Sequence, residues 1–260
     1  MSSEWPIQNT EVQESEFKFR ELNLDEAREM LDNPIYVTKS KSFEDLQKSY
    51  QNKIEGEFKA KELAEIGKGL FDELGQKYNI KTPVEFFVGD NADGQQILYT
   101  RVDKVNGQDL AKKENLQDIN QLVQELYINI SKYYLDKLRS GGFFLTDISG
   151  SSQYVYGEKG NEKESQIYLI DADIYLDNRS ESLLTTVYWL SRHLSRVESG
   201  LKMNALLARN NIKEFVDEYQ TIFPNLDDKN EKRLSEIQKF LSGKGFGDEI
   251  LPAIPTFEEK

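Results

Sequence analysis

Two hydrophobic periodicities occur along the chain, and their order limits the folds that it can adopt. Up to about residue 103, segments with the alternation of a strand are mixed with segments whose apolar residues recur every three or four positions, as in a helix. The remainder is mainly helical in pattern, with short strand-like segments in its middle. This order predicts an α+β fold of two lobes: a flexible segment at 1–16, an N-lobe at 17–103 and a helical C-lobe at 104–260.

The N-lobe pattern combines strands with a long amphipathic helix. The segment "IYVTKS" reads as a strand in which Ile35, Val37 and Lys39 share one face, because successive strand side chains point to opposite sides. Residues 43–78 have helical periodicity throughout. "VEFFVGDNADGQQILYTRVD" then predicts a hairpin, since Asn, Asp and Gly supply the backbone angles of a tight turn.

The C-lobe pattern begins with the longest convincing helix, "ENLQDINQLVQELYINISKYYLDKLRSGG", which two glycines end. Three short strand-like segments follow, "FFLTDI", "QYVYG" and "QIYLIDADIYL". Everything after about Ser180 is helical in pattern. A link at residues 103–107 is expected to join the two lobes.

Charge and composition exclude several classes of chemistry. The 46 acidic residues against 33 basic ones give a formal net charge of −13, so nucleic acid is not an expected partner. The chain contains no cysteine, which excludes disulfides and thiolate chemistry, and a single histidine, His193, leaves zinc few ligands. A metal ion bound here is expected to be a hard ion held by oxygen, such as Mg²⁺. We expect His193 to be a packed or surface residue of a helix.

The sequence pattern predicts neither a secretion signal nor a membrane span. The N-terminal residues lack a basic stretch followed by an apolar one, and no later segment approaches the length of a continuous apolar span. The absence of cysteine fits a reducing compartment. We therefore expect a cytoplasmic protein with no membrane partner.

Two aspartates, Asp147 in "GFFLTDISG" and Asp171 in "YLIDADIYL", each follow an apolar segment. A hairpin between these segments would bring both carboxylates to one edge. One carboxylate could then accept the proton of an attacking hydroxyl while the other holds Mg²⁺ on nucleotide phosphates. The residues alone also allow both to be acids that end strands and begin turns, and we expect Asp173 to be a structural neighbour of Asp171.

The succession of a long helix, "LRSGGFFLTDISGSSQYVY", a spacer and "YLIDAD" resembles the catalytic and metal-binding segments of the protein-kinase-like superfamily. The likeness is closest to the bacterial branch with aminoglycoside-type phosphotransferases and small-molecule or lipopolysaccharide kinases. By this resemblance Asp147 is the catalytic-loop aspartate and Asp171 is the metal-binding one. The cofactors it implies are ATP and Mg²⁺, and the second substrate is an unidentified hydroxyl-bearing acceptor.

The same resemblance assigns roles in the N-lobe. "IYVTK" is similar to the strand whose lysine grips the nucleotide phosphates, which makes Lys39 that lysine and places Val37 against the base. Glu62, beside the apolar stripe of the following helix, is the expected partner of Lys39. "ILYTRVDKVNGQDL" looks like the hinge between lobes. Its backbone would bind adenine at three residues: Arg101, Val102 and Asp103.

Departures from the family pattern support competing interpretations. The asparagine expected five residues after the catalytic aspartate is replaced by Ser152, followed by Gln153, and these two are the substitute metal ligands. The histidine that commonly precedes that aspartate and the glycine-rich loop before "IYVTK" are both missing. One alternative is therefore a catalytically inactive pseudokinase, or a module of the same fold that binds a protein partner. An unrelated mixed helix and strand interaction protein is a third.

Overall fold

The computed structural model describes residues 19–50, 54–56, 58–111, 119–160, 163–170, 175–201 and 205–243. The segment predicted to be flexible, residues 1–16, lies outside them. The described residues form a mixed α+β fold and fall into two compact units. We call them the sheet unit, which takes the described residues of 11–112 and 152–176, and the helical unit, which takes those of 113–151 and 177–260.

The first sheet of the sheet unit has four strands. They are β1 (Arg20–Leu22), β2 (Tyr36–Ser42), β3 (Val84–Asp90) and β4 (Gln96–Asp103), in the order β1-β3-β4-β2. Strand β1 runs parallel to β3, and the other pairs are antiparallel. The predicted hairpin is confirmed as β3–β4. Its turn forms because the Asn91 side-chain oxygen accepts hydrogen bonds from two backbone amides of the turn.

Helices cover both faces of this sheet. On one face α1 (Leu24–Asp32), which begins with a capping box, joins a buried cluster; its members are Leu22, Ala27, Met30, Phe87, Ile97 and Tyr99. On the other face α3 (Ala60–Tyr78) packs through Phe71, whose ring centroid lies 5.4 Å from that of Phe86. Helix α2 (Phe43–Tyr50) follows directly on β2.

The helical pattern of residues 43–78 corresponds to two helices with an interruption between them. Helix α2 ends at Tyr50 and α3 begins at Ala60. Between them Gly56 has a φ of 98°, outside the right-handed helical region, and Lys59 is extended. The apolar periodicity continues across this interruption, so periodicity alone does not show it.

The second sheet has three antiparallel strands in the order β5-β7-β8. These are β5 (Val105–Asp109), β7 (Tyr154–Lys159) and β8 (Gln166–Leu169). Gly107 and Gly157 face each other, and a side chain at Gly107 would clash with the Tyr156 carbonyl oxygen. Because β5 pairs with β7, it belongs to the sheet unit.

The helical unit contains four long helices. They are α4 (Asn120–Ser140), α5 (Ser180–Leu201), α6 (Leu206–Ile222) and α7 (Asp228–Leu241). The unit also holds β6 (Phe144–Leu145), and its boundary with the sheet unit falls inside β9 (Leu176–Asp177). Helix α4 ends at Gly141 and Gly142, which both have positive φ, as predicted from the pair of glycines. Within the described part of the chain, no helix combines the length and apolarity of a membrane span.

An ion pair of low exposure ties three helices of the helical unit together. The Arg209 guanidinium on α6 bonds to the Glu198 carboxylate on α5, with an Nε–Oε1 distance of 2.8 Å. Its Nη1 donates to the Phe240 carbonyl oxygen of α7 at 2.8 Å, and its Cζ lies 4.0 Å from the Phe240 ring centroid. The pair therefore fixes the packing of α5, α6 and α7.

His193 is a packed residue of α5, in agreement with the sequence interpretation. It is half-buried, with its ring centroid 6.4 Å from that of Trp189. Burial, together with the smaller effect of the positive charges of Arg196 and Arg192, lowers the pKa of His193 from 6.5 to about 4. A histidine that stays neutral to this pH is poorly matched to general-base work near pH 7 and well matched to packing.

We expect His193 to make the stability of the protein pH-dependent. In the folded state the imidazole stays neutral down to about pH 4, whereas in the unfolded chain it becomes protonated near pH 6.5. The contribution of His193 to the free energy of unfolding is therefore fully present above pH 6.5 and is lost as the pH falls toward 4. Between pH 7 and pH 5 this loss should be about 1 kcal/mol, allowing for solvent screening. Urea unfolding at both pH values measures it.

The control for this prediction is His193→Gln. Because the chain has a single histidine, the substitution removes all imidazole titration and leaves the carboxylates in place. The difference in unfolding free energy between pH 7 and pH 5 should be smaller in His193→Gln than in the wild type. An equal difference in the two proteins would contradict the burial of a neutral imidazole.

Candidate functional site

The segment that carries Asp147 is held by two tyrosines of α4. The Tyr133 hydroxyl oxygen accepts a hydrogen bond from the Leu145 amide at 2.9 Å, and the Tyr134 hydroxyl donates to the Leu145 carbonyl oxygen at 3.2 Å. Both tyrosines are fully buried, and their ring centroids lie 5.2 Å apart. These bonds position the backbone two residues ahead of Asp147.

Asp147 lies just beyond this anchored segment, in a turn of the helical unit. Its side chain is half-buried, and the next three residues, Ile148 to Gly150, are buried. A carboxylate that is accessible but attached to a buried, hydrogen-bonded backbone has the placement that a general base needs. The role of Asp147 stays a prediction.

Two of the predicted metal ligands, Ser152 and Gln153, lie at the open end of the β7–β8 hairpin. Ser152 is exposed and Gln153 is half-buried, and both belong to a 3₁₀ turn (Ser151–Gln153) that leads into β7. The Gln153 carbonyl oxygen accepts a hydrogen bond from the Ile170 amide at 2.9 Å. Asp171 follows Ile170 in the chain and lies, with Asp173, outside the described residues. The hairpin thus places Gln153 beside the residue that precedes Asp171.

The oxygen donors of this segment are of the right kind for Mg²⁺. Ser152 offers a hydroxyl and Gln153 an amide oxygen, and Asp171 would add a carboxylate. Among the residues that the structure describes, no three histidine, aspartate or glutamate side chains form a group that could hold a metal ion.

Val37 and Lys39 lie on one face of β2, as predicted. Their antiparallel partners in β4 are Val102 and Thr100, which lie on the same face of the sheet. Both partners are buried, whereas Val37 is 52% exposed and Lys39 is exposed. Strand β2 is at the edge of the sheet. On this face of it the apolar side chain of Val37 and the ammonium group of Lys39 are two residues apart in the strand.

Glu62, the expected partner of Lys39, makes a hydrogen bond within its own helix. It is the third residue of α3, and its Oε2 accepts a hydrogen bond from the Lys59 amide at 2.8 Å. The side chain is exposed. This bond satisfies an amide at the start of α3, where a carboxylate is also favoured by the helix dipole. The pairing of Glu62 with Lys39 stays a prediction.

The predicted hinge residues form the end of a central strand. The Arg101 side chain points to the face opposite Lys39, where its guanidinium lies 4.3 Å from the Tyr36 ring centroid and pairs with Glu85. The Asp103 amide donates to the Pro83 carbonyl oxygen at 3.0 Å. Of the three, only the Val102 side chain shares the face of Lys39, and the Asp103 amide is already bonded within the protein.

Asp177 is a buried carboxylate that the sequence interpretation missed. It is 3% exposed, and its oxygens accept hydrogen bonds from the Asn178 and Arg179 amides and from the Arg179 guanidinium. Three residues later α5 begins. An aspartate followed by polar residues before a helical pattern suggests a cap, but no local sequence signal shows that its side chain is buried.

The two units thus hold different parts of the predicted site. The sheet unit brings Val37 and Lys39 to the face of Val102, and Gln153 to Ile170, while Asp147 belongs to the helical unit. Glu62 and the Arg101 side chain make contacts that serve the fold. No known protein family matches the sequence, and a comparison with curated proteins finds no similar chain.

Proposed function

We propose that the chain is a cytoplasmic ATP-dependent phosphotransferase, with the bilobal architecture of the protein-kinase-like superfamily, that acts on a hydroxyl acceptor. The observation that carries the proposal is the face of β2, where exposed Val37 and exposed Lys39 adjoin buried Val102. An apolar side chain suits a planar base, and an ammonium group two strand positions away suits a phosphate. An edge strand leaves room for a ligand on one side.

In the proposed reaction, the acceptor hydroxyl oxygen attacks the γ-phosphorus of ATP while the bond to the β–γ bridging oxygen breaks and ADP leaves. Asp147 accepts the proton of the hydroxyl, and Lys39 offsets the charge of the phosphates. Mg²⁺, when bound, neutralises phosphate charge as well. Asp171 would hold it together with an oxygen of Ser152 or Gln153.

A second candidate is a catalytically inactive module of the same fold that binds a protein partner. Two observations favour it: the Glu62 carboxylate caps its own helix, and an exposed serine stands where the family has a metal-binding asparagine. Such a module binds nucleotide weakly without metal, or does not bind it.

The test is a thermal-shift titration with ATP in the presence of Mg²⁺, of Mn²⁺ or of EDTA. A ligand that binds only the folded state raises the free energy of unfolding by about 2.7 kcal/mol when its concentration is one hundred times its dissociation constant. A titration that reaches millimolar ATP therefore reveals weak binding. We expect a metal-dependent shift in the wild type that is lost in Asp171→Ala and much reduced in Lys39→Ala. Lys48→Ala, an exposed lysine of α2, is the matched control and should keep the shift.

The outcomes separate the two candidates. A shift that persists in EDTA and in Asp171→Ala supports the inactive module. If the wild type shows no shift at all, or if Lys39→Ala and Lys48→Ala respond alike, the β2 face does not bind nucleotide and the phosphotransferase proposal fails.

A further inference from the structure

A polar cavity of about 370 Å³ lies within the sheet unit, where its two sheets meet. The loop before β3 supplies Lys81 and Thr82, and β7 and the segment up to β8 supply Lys159, Glu164 and Gln166. Its size falls in the range of pockets that hold small molecules. None of these residues belongs to the proposed nucleotide site.

Backbone pairing joins the two walls of this cavity. Lys81 pairs with Tyr168 as an isolated parallel bridge, and the Leu169 amide donates to the Lys81 carbonyl oxygen at 2.9 Å. Tyr168, also in the lining, is 4% exposed. The lining is therefore attached to regular structure on both sides, which favours a site whose shape exists before a ligand arrives.

The side chains of the lining favour an anion. Two lysines line the cavity, Lys81 before β3 and Lys159 of β7, and the Thr82 hydroxyl and Gln166 amide add hydrogen-bond donors. The Lys159 Nζ also lies 3.6 Å from the Asp103 Oδ2.

Glu164 places a negative charge in the lining, which favours a ligand that also carries a hydrogen-bond donor or a positive charge. Its carboxylate is an acceptor in the same lining, and it would repel a ligand that carries negative charge alone. A ligand with an anionic end and a donor end satisfies both lysines and the glutamate. A phosphomonoester with an amino group combines the two within a molecule of suitable size.

We propose that this cavity binds a small phosphomonoester that carries an amino group, with the phosphate between Lys81 and Lys159 and the amino group at Glu164. The ligand contacts both sheets and thereby stabilises the junction between them. The site is separate from the face of β2 and binds its ligand whether or not the protein transfers phosphate.

The experiment is isothermal titration calorimetry at constant ionic strength with two probes, inorganic phosphate and O-phosphoethanolamine. We expect saturable binding of both, tighter for O-phosphoethanolamine. The double variant Lys81→Ala/Lys159→Ala should bind both probes about a hundredfold more weakly, because each of the two lost bonds to a charged group is worth about tenfold. Lys81→Arg/Lys159→Arg should retain binding.

Three further variants make the test specific. Glu164→Gln should remove the preference for O-phosphoethanolamine over phosphate. Lys48→Ala/Lys213→Ala, which removes the same charge from exposed helical positions, should bind as the wild type does. Lys39→Ala should also bind normally, which separates this site from the nucleotide site. The proposal is overturned if no saturable binding occurs, if the Lys81/Lys159 variant binds like its control, or if Lys39→Ala abolishes binding.

Discussion

Replacing Asp147 by asparagine should lower the rate of magnesium-dependent ATP hydrolysis by about 10²–10⁴-fold, the contribution of a positioned general base. Water can serve as the acceptor in this assay, so the natural acceptor is not needed. Asparagine keeps the size of the side chain and cannot accept a proton. The tyrosine bonds to Leu145 do not involve the Asp147 side chain and should persist. Steady-state phosphate release by purified protein measures the effect.

The control for this variant is Asp217→Asn on α6. Asp217 is an exposed carboxylate of the same helical unit, paired with Lys213 one helical turn away. Its substitution removes one negative charge and should leave hydrolysis unchanged. ATP binding by Asp147→Asn, followed by thermal shift, should equal that of the wild type. Equal hydrolysis by Asp147→Asn and wild type would show that Asp147 is not the base, and no hydrolysis by either would favour the inactive module.

Replacing Asp177 by alanine should lower the free energy of unfolding by about 3 kcal/mol, since it leaves the Arg179 guanidinium and two amides without their acceptor. The carboxylate is 3% exposed, and its Oδ2 lies 2.6 Å from the Arg179 Nη2. Water therefore cannot fully replace the lost bonds. Urea unfolding followed by far-ultraviolet circular dichroism measures the loss.

The matched control for Asp177 is Asp217→Ala. Its exposed ion pair with Lys213 at 2.9 Å should be worth at most about 0.5 kcal/mol. The two substitutions remove the same group, so the difference between them reports burial and bonding. Equal unfolding free energies for the two variants would mean that Asp177 is solvated in solution.

Local sequence signals predicted the parts of the fold that depend on neighbouring residues. The β3–β4 hairpin follows from the turn residue Asn91, and the end of α4 follows from Gly141 and Gly142. Alternation along β2 placed Val37 and Lys39 on one face, and the register with β4 agrees with it.

The parts that could not be predicted depend on residues distant in sequence. Strand β5 looked like a polar link because its partner, β7, lies beyond the whole of α4. The Asp177 carboxylate could not be told from the other acids of the sequence, because its burial is a property of the folded protein and has no local sequence signal. A helical wheel places Glu62 beside the apolar stripe of α3. It does not show that the Glu62 carboxylate accepts a hydrogen bond from the Lys59 amide at the start of that helix.

The pairing of β5 with β7 also affects how the protein forms on the ribosome. The first sheet, with α1 to α3, is complete once β4 has been synthesised. Strand β5 has no pairing partner until β7 has been synthesised, and α4 is made before β7. During that interval β5 is an unpaired strand edge, which is prone to pairing with other chains. A chain that terminates before β7 would keep that edge permanently, so truncation there should yield aggregation-prone material instead of an independent N-terminal fragment.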